Sequence, residues 1–133
     1  MRKIASRQAY LFLLLATLLV SSCTSIEMPG YQRLSGKPYL WQGIAFYEEG
    51  DYRAASRRLL FALEEGLTVP DRVVAHKYLA FIACVSGRQL TCREEFAIAL
   101  KLDPTFELDE AEAGHPIWGP VFRSAQAAST GRS

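Results

Sequence analysis

Residues 39–63 read YLWQGIAFYEEGDYRAASRRLLFAL, and residues 76–100 read HKYLAFIACVSGRQLTCREEFAIAL. Aligned on their central glycines, Gly50 and Gly87, the two stretches also match Gly43 to Ala80, Ala55 to Cys92 and Ala62 to Ala99. Small residues thus recur where two helices have to approach closely. Large apolar residues return every three or four positions, the spacing of one helical face. Tyr39, Gly43 and Phe46 share such a face, with Trp41 and Ile44 beside them. Ala55, Leu59, Ala62 and Leu63 make the facing stripe. Each stretch is therefore expected to fold as two helices around a glycine turn. From residue 38 onward the expectation is an all-α chain.

The pattern resembles the tetratricopeptide repeat, a 34-residue helix-turn-helix unit with small residues at fixed positions. Asp103-Pro104 closes the second unit as the family's motif does. Two departures stand out: Tyr39 and His76 occupy the place of an early tryptophan, and three extra residues fall around Gly66-Leu67-Thr68-Val69-Pro70. The resemblance covers about residues 36 to 106 and implies two stacked hairpins. Such stacks usually need three units, so one face is left to be covered. His115-Pro116-Ile117-Trp118-Gly119-Pro120-Val121-Phe122 supplies a candidate, a short capping helix with Ile117, Trp118, Val121 and Phe122 on one side. Pro116 suits its first turn, while Pro120 interrupts or restarts it.

The resemblance also implies a concave groove, lined by the first helix of each unit, that holds a partner peptide or helix. Its positions here are Leu40, Ile44 and Tyr47, then Val74, Lys77, Phe81 and Val85, with Lys37, Glu48 and Cys84 alongside. Most are apolar, which suits a helix laid into a groove. The competing occupant is the chain's own segment 116 to 126. If the groove is open, Leu40→Glu with Phe81→Glu should abolish partner binding and leave the domain folded.

Ahead of the repeats, Arg2, Lys3 and Arg7 precede an apolar run from Tyr10 to Val20. A membrane-spanning helix needs about 20 residues, so this run has the layout of a secretory signal instead. Val20-Ser21-Ser22-Cys23 resembles the bacterial lipobox. That resemblance implies a diacylglycerol on Cys23, cleavage before it and acylation of the new amino terminus. The alternative is a plain signal peptide with a chance cysteine. Thr24 follows where an aspartate is associated with inner-membrane retention, which implies the outer membrane, facing the periplasm. The expected organisation is a signal peptide at 1–22, a lipidated tether at 23–36, a helical domain at 37–128 and a disordered tail at 129–133.

Fifteen Lys and Arg oppose fourteen Asp and Glu. Three of the basic residues lie in the leader, so the remainder is slightly acidic and shows no footprint for nucleic acid. His76 and His115 lack neighbours at metal-ligand spacing and are read as structural. No phosphate-cradling glycine loop appears. The expectation is a chain that is not an enzyme, with no metal, no small-molecule substrate and no cofactor beyond the lipid on Cys23. Cys84 and Cys92 straddle the second turn and are read either as a disulfide or as two buried thiols. Arg53, Arg57 and Arg58, and likewise Glu107, Asp109, Glu110 and Glu112, are read as solvated faces.

Anchor and repeat together resemble the tetratricopeptide lipoproteins that accompany type VI secretion systems and the pilotin-like ones of type IV pili. The resemblance implies an adaptor or assembly factor with protein partners in an envelope-spanning machine. The Asp-Pro…His-Pro-Ile-Trp-Gly-Pro pattern leans towards type VI secretion. The alternative is a structural envelope lipoprotein that contacts peptidoglycan or the outer membrane.

Overall fold

The computed structural model describes residues 35–131. Signal peptide, lipidated Cys23 and residues 23–34 of the expected tether lie outside these residues. Every regular element among the described residues is a helix. In chain order they are α1 (Lys37–Glu48), α2 (Tyr52–Glu65), α3 (Val69–Val85), α4 (Gln89–Leu102), α5 (Glu110–Ala113) and α6 (Gly119–Thr130). Helix α1 packs on α2, α3 on α4, and α6 covers α4. None of these helices is long and apolar enough to cross a membrane.

The two tight turns are built alike. Helix α1 ends at Gly50 with φ 81°, and α3 ends at Gly87 with φ 74°. This is the left-handed region that a Cβ disfavours. In the first turn Asp51 N–H donates to the Phe46 carbonyl and Gly50 N–H to that of Tyr47. In the second, Arg88 N–H donates to Ala83 and Gly87 N–H to Cys84. Both satisfy carbonyls that a helix end leaves orphaned. Starts of helices are set locally too. The Asp51 carboxylate accepts from Ala54 N–H at 2.8 Å, and Thr68 Oγ1 accepts from Asp71 N–H at 3.3 Å. Such caps each contribute about 1 kcal/mol.

Helix α3 lies at the centre, because residues 79 to 84 are buried in succession and not on one stripe. A helix apolar on all sides has to be enclosed. Leu79 and Ile82 join Leu40, Ile44, Leu59 and Ala62 in one cluster. Phe81 and Cys84 join Phe96, Leu100, Trp118 and Phe122 in the other.

Two boundaries differ from expectation. Ser35 and Gly36 belong to the fold, not to the tether. Ser35 Oγ–H reaches the Glu65 carbonyl at 3.1 Å and its carboxylate at 3.0 Å, and Gly36 N–H donates to Gly66 at 3.0 Å. A Cβ on Gly36 would collide with the Ala62 carbonyl, so only glycine fits there. At the other end, α6 continues through Ser129 and Thr130, which had been expected to be a disordered tail. Of the two roles expected for Pro120, interrupting or restarting a helix, it takes the second: it sits in the first turn of α6, where an N–H is dispensable.

Candidate functional site

The groove expected along α1 and α3 is closed. Leu40 is 1% exposed and Phe81 2%, and Ile44 is buried with them. Tyr47, Val74 and Val85 are partly buried against the same clusters. On the α3 side the occupant is the chain itself: the Trp118 ring stacks on Phe81 at 4.4 Å between centroids, and Phe122 meets Phe96 edge-on at 5.2 Å. Lys77 is held over the Tyr78 and Phe81 rings and ion-pairs with Glu112. On the α1 side, Leu40 and Ile44 are covered by α2 and α3. Glutamate at Leu40 and Phe81 would therefore place charges in the core, where they unfold the domain and do not test a partner. Trp41, expected beside the packed face, turns outward at 57% exposure.

Of the four expected cap residues, Trp118 and Phe122 are buried and Val121 packs at the margin, but Ile117 is 43% exposed. Residues 116–118 form a turn before α6 begins, so Ile117 and Trp118 both precede the helix, and of the two only Trp118 points into the core. Trp118 Nε1–H donates to the Glu112 carbonyl at 2.9 Å. His115 lies flat on the Trp118 ring, and its Nδ1 accepts from Ile117 N–H at 3.2 Å. His76 is largely buried, its Nδ1 2.7 Å from the Glu95 carboxylate at the edge of a hollow also lined by Glu64, Glu65 and Arg72.

Cys84 and Cys92 form a disulfide that joins the end of α3 to the start of α4. In the acidic stretch Glu107, Asp109 and Glu110 are exposed, as expected of a solvated face, and Glu112 alone is largely buried. Glu112 holds Lys77, Asp109 and Glu112 form a capping box at α5, and the Glu107 carboxylate accepts from Gln126 Nε2. Burial pushes the Tyr47 hydroxyl up to about 12, with Tyr52, Tyr78 and Glu112 adding to the effect. Tyr78 is raised as well, first by burial and then by Glu112, Glu48 and Asp109. Both phenols therefore stay protonated and neutral beside that acidic edge.

The basic stretch differs. Arg53, Arg57 and Arg58 are exposed, and none has an ion-pair or hydrogen-bond partner among the described residues. Arg57 is shared by two shallow hollows on either side of α2. One has a volume of about 530 Å³ and is lined by Tyr52, Arg53, Leu60 and Arg88; the other contains Phe46, Arg58 and Phe61. Reading charge alone hid this surface. The signal was the interleaving of Arg53, Arg57 and Arg58 with Leu60 and Phe61 on the outer half of one helix. Among the described residues no group of three His, Cys, Asp or Glu side chains is placed to hold a metal. No family model, curated protein or solved structure matches this chain.

Proposed function

We propose that this chain is a lipid-anchored periplasmic adaptor that braces or assembles a component of an envelope-spanning machine, with type VI secretion the favoured setting. The observation that carries the reading is Val20-Ser21-Ser22-Cys23, a lipobox-like run whose cysteine lies twelve residues ahead of Ser35, itself held by the end of α2. A disulfide between Cys84 and Cys92 is consistent with that compartment, since such bonds persist where the surroundings are oxidising.

The tetratricopeptide-like part of the reading is supported by equivalence between the hairpins. Gly50 and Gly87 share a left-handed φ, and Ala55 and Cys92, Leu59 and Phe96, and Ala62 and Ala99 are all fully buried. With the groove closed, the partner has to be met by exposed side chains. Trp41 on α1, Val69 at the start of α3, Ile98 on α4 and Ile117 before α6 are the large apolar ones outside the arginine face among the described residues.

A detergent pull-down of the anchored protein from envelopes, read by mass spectrometry beside a Cys23→Ala control, tests this reading. Secretion or pilus subunits that vanish in the control and weaken with Trp41→Ala support the adaptor. Recovery of peptidoglycan-associated or abundant outer-membrane proteins alone supports a structural envelope lipoprotein instead.

A further inference from the structure

Leu60 and Phe61 are exposed among arginines that have no partner among the described residues, and exposed apolar side chains rimmed by polar groups mark an interaction surface. We propose that the outward face of α2, together with the α3–α4 turn, docks on anionic phospholipid headgroups of the leaflet that holds the Cys23 lipid. This rests on the anchored reading above and adds an orientation to it.

Charge is the first argument. Arg53, Arg57, Arg58 and Arg88 are exposed and unpaired among the described residues, and no acidic residue lines either hollow beside them. Asp51, at the edge of the face, is engaged as the α2 N-cap, and Glu64 lies one turn beyond Leu60. Composition is the second. Tyr52, Leu60 and Phe61 stand among these arginines, and Leu90 beside Arg88 is 70% exposed. Aromatic rings and leucines among basic groups settle at the boundary between headgroups and acyl chains.

Reach is the third argument. Ser35 lies twelve residues from Cys23, a span of no more than about 40 Å at full extension. A face held that close meets the surface at high effective concentration, so weak intrinsic affinity is enough. Within the acidic stretch Glu107, Asp109 and Glu112 are engaged in their own chain and, among the described residues, only Glu110 is not, so that stretch of a second copy is a weak match for the face.

The test uses the full chain, extracted from envelopes and reconstituted into phosphatidylcholine vesicles with or without phosphatidylglycerol. Acylation of Cys23 is read separately by mass, so failure of the anchor and failure of the face are distinct results. Ser56, beside the arginines, is changed to Cys and labelled with a fluorophore; Ser129 on α6 carries the control label. The Ser56 label should be quenched by a headgroup-bound quencher only when phosphatidylglycerol is present, and high salt should relieve it. The Ser129 label should not respond.

Arg53→Gln with Arg57→Gln should lower the docked-to-free ratio by roughly 25-fold, about fivefold for each arginine near an anionic surface. The circular dichroism of these variants should match the parent, since neither side chain is buried. Quenching that ignores lipid charge, or survives loss of both arginines, overturns the proposal. So does a Ser56 label that answers to added polyglutamate peptide but not to phosphatidylglycerol, which would assign the face to an acidic protein. If Cys23 carries no lipid yet arginine-dependent quenching persists, the face stands and the anchor falls.

Discussion

The α1–α2 and α3–α4 hairpins follow one register of small residues and glycine turns, yet they are finished in different ways. Where the second hairpin has Cys84 and Cys92, the first has Tyr47 and Ala55 at the equivalent positions, so only one is stapled. Phe96 and Phe81 of the second are covered by Trp118 and Phe122. The outer side of α2 in the first remains open to solvent with its arginines. The first hairpin is instead pinned at its base by Ser35 and Gly36. A shared repeat pattern specifies how helices pair within a unit; what lies on each unit's remaining face is set by residues outside the pattern.

The strongest way to break this contrast is to empty the covered side. Phe96→Ala should lower stability by about 3–5 kcal/mol, while Leu60→Ala on the open side should cost under about 1 kcal/mol. Urea midpoints of the two variants measure the difference, and similar values would mean that the hairpins are equally enclosed. Next in size is the staple. Reducing the Cys84–Cys92 bond, which spans eight residues, should cost roughly 2–3 kcal/mol through the freedom it restores to the unfolded chain. The midpoint with and without dithiothreitol reads it, with Cys84→Ala plus Cys92→Ala as the control insensitive to reductant.

A smaller effect belongs to the first hairpin alone. Gly36→Ala forces the start of α1 away from the Ala62 and Gly66 carbonyls and should cost about 1–3 kcal/mol. Hydrogen exchange should show faster opening at the α1 N-terminus and unchanged protection in α4. The smallest effect is the alkaline limb. Tyr47 binds its proton more tightly folded than unfolded, about 12 against 10.0, and Tyr78 shifts the same way. Their contribution is full below pH 10 and is lost as pH rises towards 12. Absorbance at 295 nm should show two phenols ionising late in the native state, and Tyr47→Phe should remove part of the pH-dependent loss of stability.

Much of the fold was legible because it rests on local rules. Gly50 and Gly87 announce left-handed turns, Asp51 and Thr68 announce helix starts, and the three-to-four spacing fixes which residues face inward. The candidate groove was less legible. Leu40 and Phe81 carry the right spacing for a lined groove, and that spacing looks the same whether a partner or the chain itself fills it. Ile117 was misplaced because one turn, not a continuous helix, separates it from Phe122. The arginine face was visible as charge, but its interleaved apolar residues acquired meaning only once α2 was seen to have no neighbour on that side among the described residues.

By itself, the sequence determined the helices, their turns, the pairing within each hairpin and the expected address at Cys23. Each depends on residues close together along the chain. Tertiary structure alone decided that Trp118 closes over Phe81, that Ser35 and Gly36 are held by the end of α2, and that Glu112 neutralises Lys77. Those contacts join positions thirty or more residues apart. Their selection depends on competition among apolar surfaces for burial, which no local period records.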